Sequence, residues 1–129
     1  MKKLLVGLLA VLFLAACTGK TSASIQGTWK LVSYNQTPAV PNVETSIEFK
    51  DGQLSGNVGC NSVGGDYTVD GNTITFSPVI STMMFCADVA EQESSTLAVL
   101  QKTTTFMLDG NSLTITSVDG NSSIVLARK

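Results

Sequence analysis

Cys17, Cys60 and Cys86 are the residues of this chain best suited to covalent chemistry, and the 129 residues include no histidine to activate them. The lack of imidazole removes the commonest general base, every His-containing metal site and any imidazole pH switch. Cys60 and Cys86 lie too far apart for a Cys-x-x-Cys redox motif, and two thiolates without histidine make a poor zinc site. In an exported chain the pair is readily oxidised to a structural disulfide, worth about 3.5 kcal/mol of unfolded-state entropy at most. Two buried free thiols are the other reading. Hydrolysis would need a serine or threonine activated by Lys30, Lys50 or Lys102, or a pair of carboxylates, and no spacing singles one out. The expected protein is not an enzyme and carries neither cofactor nor metal.

Cys17 stands apart. Lys2 and Lys3 precede an uncharged run from Leu4 to Ala16, a positive segment followed by a short apolar one, as in a secretory signal. The run falls below the ~17–25 residues of a spanning helix. It ends Leu14-Ala15-Ala16-Cys17, followed by the polar Thr18-Gly19-Lys20-Thr21-Ser22. This resembles the lipobox of bacterial lipoproteins, in which the thiol is joined to diacylglycerol and the peptide is cut just before the cysteine. Plain secretion with cleavage near Ala16 is the alternative. The expected organisation is a signal peptide over 1–16, an acylated cysteine and linker over 17–24, and one folded domain over 25–129. Two or three acyl chains, palmitate among them, anchor such a product firmly, since each buried CH₂ contributes ~0.8 kcal/mol.

Loss of Lys2 and Lys3 leaves six basic side chains against 10 acidic ones and no basic cluster, which argues against nucleic acid as a partner. Thr18 is not the aspartate that resembles an inner-membrane retention signal, so the expected location is the envelope outside the cytoplasm, in the outer membrane of a Gram-negative cell.

Around these residues the chain reads as short strands. Trp29 and Leu31, Ile47 and Phe49, Tyr67 and Val69, Ile74 and Phe76, Phe106 and Leu108, Leu113 and Ile115, and Ile124 and Leu126 each keep the two-residue period of a half-buried strand. Asp51-Gly52, Asp70-Gly71-Asn72, Asp109-Gly110-Asn111 and Asp119-Gly120-Asn121 punctuate them, glycine supplying the positive φ of tight hairpin turns. Pro38 and Pro41 mark a connection that has no place in a central strand. From Asp88 to Lys102 there is neither proline nor glycine, and Val89-Ala90-Glu91-Gln92-Glu93 favours a helix with Asp88 as cap and Glu91 reaching back. Leu97 and Leu100 would pack on the sheet, with Val89 and Glu93 about one and two turns earlier along the same side, and the glutamates would be solvated rather than catalytic.

These elements predict a mainly β protein, a small antiparallel β-barrel or roll of about eight strands with one packed helix, closed because open edges invite association. Gly56, Gly59, Gly64 and Gly65 suit bends or bulges. The elements Gly27-Thr28-Trp29-Lys30-Leu31, Phe49 to Gly56, Gly59-Cys60-Asn61 with Gly65 and Tyr67, and Ser81-Thr82-Met83-Met84-Phe85-Cys86 before an acidic helix resemble the META domain. That is the family of the HslJ-like heat-inducible bacterial lipoproteins, and the likeness runs from about Ile25 to Leu126. In the family's second element methionine directly precedes the cysteine, whereas Phe85 intervenes here. The resemblance implies a small β-barrel with a helix, an envelope location in many members, and association with stress, motility or secretion, with no established catalytic activity.

Asn61, Thr82, Met83 and Met84, brought together through Cys60 and Cys86, form the best candidate partner-binding surface. The competing reading is that they only close the barrel, methionine filling an irregular core gap. The expected function is that of a monomeric, stress-related binding or assistance module, held to the membrane by its lipid and contacting an envelope protein or lipid. A structural or stress-protective lipoprotein with no dedicated ligand is the alternative.

Overall fold

The structure, a computed structural model, describes residues 24–129. The signal segment 1–16, Cys17 and the linker up to residue 23 lie outside the described residues. The chain order is β1 (Gly27–Tyr34), β2 (Thr37–Pro38), β3 (Ser46–Lys50), β4 (Gln53–Asn57), β5 (Ser62–Asp70), β6 (Thr73–Phe76), β7 (Ile80–Ser81), a 3₁₀ turn (Ala87–Val89), α1 (Ala90–Leu100), β8 (Thr103–Asp109), β9 (Ser112–Ser117) and β10 (Ser123–Arg128). Neighbours pair antiparallel in the order β10-β9-β8-β6-β5-β4-β3-β1, and β10 pairs back onto β1. The result is a closed eight-stranded antiparallel barrel with one helix, the fold expected. The two-residue strands β2 and β7 attach to β1 and β5 beside that circuit.

Local chemistry sets the hairpins. Asp51 (φ 50°) and Gly52 (φ 80°) both take positive φ, the I′ pattern whose twist matches the strands it joins. Gly71 (φ 60°) and Gly110 (φ 56°) supply the single positive φ at the first turn position in the β5–β6 and β8–β9 hairpins. The β1–β2 turn uses Asn35 (φ 45°) and Gln36 (φ 68°) with no glycine. Asn35 is held there by β10, its N–H donating to Ser123 O and its Oδ1 accepting from Ser123 N. At Gly56 a Cβ would sit 2.1 Å from Ser46 O, so only glycine lets β3 and β4 approach this closely.

Inward side chains fill the barrel. Trp29, Ile47, Phe49, Ile74, Leu113, Ile115, Ile124 and Leu126 are wholly buried, and Phe49 meets Tyr67 edge-on at 5.1 Å between ring centroids. Trp29 Nε1 donates to Ile25 O at 2.8 Å, and the Arg128 guanidinium covers the indole at 4.2 Å. Trp29, Tyr34 and Tyr67 are therefore core residues. The helix lies across one end, against β1, β9 and β10, with Val99 and Leu100 pointing in.

The helix differs from expectation in two ways. It begins at Ala90, after a 3₁₀ turn, and neither Cys86 nor Val89 at the N-cap positions makes a side-chain cap bond. Cys86 is tied to Cys60 and accepts from Val89 N through its carbonyl, so the entry geometry is imposed by the cross-link and Asp88 stays in solvent. Leu97, half-buried, packs against the core as expected. The inward face also carries Gln92, Glu93 and Thr96, so the expectation of solvated glutamates is overturned for Glu93. Gln92 and Glu93 are held inward by hydrogen bonds to two loops, described next, whereas the Thr96 hydroxyl is buried without a hydrogen-bond partner among the described residues.

Candidate functional site

The distinctive residues converge at the helix-covered end of the barrel. β4 stops at Asn57, whose Nδ2 donates to Cys60 O and whose Oδ1 accepts from Gly59 N at 2.9 Å, closing a tight loop before β5. Gly59 takes φ 153°, and an added Cβ would press on Val89 at 3.0 Å, so glycine is required where this loop meets the helix. Cys60, on the same loop, is joined to Cys86 as a disulfide with Cα atoms 6.2 Å apart. The disulfide reading of the two cysteines therefore holds over that of two buried thiols.

α1 holds the loop from beneath. Glu93, 6% exposed, accepts from Cys60 N at 2.8 Å and from Asn61 N through Oε1, and from Asn61 Nδ2 at 2.8 Å through Oε2. Three N–H donors on one carboxylate offset the cost of burying it, because bonds to a charged acceptor are about twice as strong as neutral ones. Its neighbour Gln92 is wholly buried: Nε2 donates to Val58 O and Oε1 accepts from Val40 N, both at 2.7 Å. One helical turn thus ties down the β2–β3 and β4–β5 connections.

Asn61, itself 6% exposed, passes the constraint on. Its Nδ2 also donates to Met84 O at 2.9 Å, while Oδ1 accepts from Met84 N at 2.8 Å and from Thr82 Oγ1 at 2.9 Å. Thr82 Oγ1 in turn accepts from Ser62 N at 3.1 Å. Every polar atom of the Asn61 side chain is used inside the domain. Asn61 does not present itself to a partner; it positions the segment that does.

That segment is Met83-Met84-Phe85. Met83 is 96% exposed, Phe85 85% and Met84 61%, beside Ile80 at 74%. The expectation that methionine fills a core gap fails here, since all three side chains project into solvent from a pinned backbone. Between them and the outer face of α1 runs an open groove of about 460 Å³, walled by Val79, Ser81, Thr82 and the Met83–Cys86 segment on one side and Ala90, Ser94, Leu97 and Gln101 on the other. Of the residues singled out from sequence, Cys60, Asn61, Thr82, Met83, Met84 and Cys86 come together; Cys17 lies outside the described residues.

Sequence reasoning missed Gln92, Glu93 and Phe85. The first two share a stripe with Val89, Thr96, Val99 and Leu100, spaced three and four apart, and that spacing was the available signal. Among the described residues no group of three or more His, Cys, Asp or Glu side chains is placed to hold a metal ion, and no helix is long and apolar enough to cross a membrane.

A barrel closed by one helix, with a Gly-Cys-Asn loop cross-linked to a Met-Met-Phe-Cys segment, is the class of domain the geometry defines. The META domain profile matches residues 22–129, and the chain belongs to the META domain family. Among solved structures it is similar to a protein determined by NMR (21% identity, covering 79% of this chain and 88% of that one, TM-score 0.66). It is also similar to an NMR structure of a protein from Burkholderia xenovorans (19%, 81% and 82%, TM-score 0.65). A third is the crystal structure of a DUF4847 family protein from Bacteroides vulgatus ATCC 8482 (18%, 81% and 93%, TM-score 0.59). These likenesses concern the fold alone. No curated protein matches the chain.

Proposed function

We propose that this chain is a non-catalytic, lipid-anchored envelope protein of the HslJ-like kind, a stress-related binding module that contacts another envelope component through the Met83–Phe85 segment. The observation that carries the reading is the contrast between side chains and backbone. Three large apolar side chains face water while the chain bearing them is fixed by the Asn61 bonds and the Cys60–Cys86 disulfide. A pre-ordered apolar surface loses little conformational entropy on binding, and methionine adapts to varied partners. The polar groups beneath it are spent on one another, which suits support rather than proton transfer. The barrel interior is filled with side chains, so a ligand is expected outside it.

Anchoring follows from Leu14-Ala15-Ala16-Cys17 and fits the barrel's polarity. β1 starts at Gly27, paired with Phe49 beside the Asp51–Gly52 turn, at the end of the barrel away from α1. From Ser24 the described chain therefore enters the barrel at the end opposite the apolar segment. The proposed location is outside the cytoplasm, at the outer membrane of a Gram-negative cell, with the domain a monomer whose contact surface turns from the bilayer.

Palmitate should label the wild type and not Cys17→Ser. Replacing Met83 and Phe85 together by serine should abolish capture of the partner in cross-linked envelopes and leave the unfolding midpoint unchanged. A soluble, unlabelled product cut near Ala16 would refute the anchor, and undiminished capture by the double variant would refute the surface.

A further inference from the structure

From Gly71 to Ala87 the chain carries no charged residue, and from Val79 to Phe85 it also lacks proline. That stretch contains β7, which pairs with β5 alone among the described residues. Exposed strand edges in native proteins are blunted by charge, proline or a covering element, because bare ones recruit other strands. This edge is left open and held rigid.

The pairing shows which backbone groups are free. Ile80 lies opposite Gly64, and Thr82 N donates to Ser62 O at 3.1 Å. Asn61 then continues the ladder with a side chain, bonding both N and O of Met84. Ile80, Thr82 and Met84 thus turn their backbone groups toward β5, and by strand alternation Ser81 and Met83 turn theirs the other way, toward the groove beside Leu97. The exposed lining there is mainly apolar, with Val79, Phe85 and Leu97 along it.

Resting on the binding reading above, we infer that the groove takes an extended peptide segment of the partner, apolar at alternate positions, which adds as a strand to β7. Main-chain bonds to Ser81 and Met83 supply the register, and apolar side chains cover Leu97 and Phe85.

The test uses the full chain in phosphatidylcholine nanodiscs and the blocked peptide Thr-Val-Thr-Val-Thr-Lys-Lys as probe. Saturating peptide should slow amide hydrogen exchange at Ser81 and Met83 by roughly tenfold or more. Methylating alternate peptide nitrogens should abolish binding without touching the protein, and Phe85→Ser should weaken it severalfold. Unchanged exchange at Ser81 and Met83 with bound peptide would overturn the strand-addition inference. So would burial of Phe85 in the nanodisc lipid, or protection of the same amides by a second copy without peptide. Peptide failure alongside partner cross-linking from Phe85 would reject this inference and leave the binding reading standing; failure of both would reject both.

Discussion

Asn61 pairs with Met84 as one strand residue pairs with another: its side-chain amide donates to Met84 O at 2.9 Å and accepts from Met84 N at 2.8 Å. A buried side chain therefore does the work of a missing strand, and the apolar segment gains a fixed backbone while both of its faces stay open.

Asn61→Ala should cost about 2–3 kcal/mol in urea unfolding, because it orphans buried donors and acceptors rather than removing one exposed bond. Asn61→Asp should be comparably damaging, since it loses both N–H donors and sets a second carboxylate against Glu93. Loss below about 0.5 kcal/mol, the size expected of a surface change, would contradict the clamp.

Glu93→Gln keeps size and shape but turns an N–H₂ toward groups that are themselves donors. The expected loss is about 1–3 kcal/mol, with faster amide exchange at Cys60 and Asn61. Glu91→Gln, at an exposed position of the same helix, should stay within about 0.5 kcal/mol.

Replacing Cys60 and Cys86 by serine should lower stability by about 3.5 kcal/mol, the loop-closure value for this span. Mass measurement after alkylation without reduction should find neither internal thiol modified in the exported wild type. Two alkylated thiols would reject the bond.

The Asp119 carboxyl is held at about 2, below the ordinary 3.8, by the Ser117 hydroxyl, the Asn121 N–H and Lys102. A carboxylate with a depressed folded value contributes stability above its unfolded value, and this is lost as pH falls through the folded one. The β9–β10 turn should thus be fully supported above pH 3.8 and loosen toward pH 2. Ser117→Ala should move the Asp119 midpoint upward in an NMR titration; an unmoved midpoint would show the hydroxyl does not hold it.

Much of this was legible in the chain. The Asp-Gly turns and the paired apolar positions specify hairpins locally, and closure follows from avoiding open edges. The Asn35–Gln36 turn was not legible, because Gln36 has no preference for positive φ and is held there by its neighbour's bonds to β10. Glu93 was hidden for a related reason: its burial is offset by N–H groups more than thirty residues earlier, a distance over which local pattern carries no information. Asn61 was picked out correctly by its setting between Cys60 and the glycines, but whether it faces a partner or supports the surface that does depends on contacts only the fold creates. Met83 and Met84 show the same limit, since an apolar run reads equally as core or as an exposed segment until its backbone partners are known.

The central claim is that Met83–Phe85 is the contact surface, and photo-cross-linking from residue 85 in intact envelopes tests it most directly. Matched probes at Met107 and Val118, also exposed and apolar, serve as controls. The account predicts a discrete adduct from position 85, absent from 107 and 118 and lost when Asn61→Ala releases the segment. No adduct from 85, or the same adducts from all three positions, would contradict it.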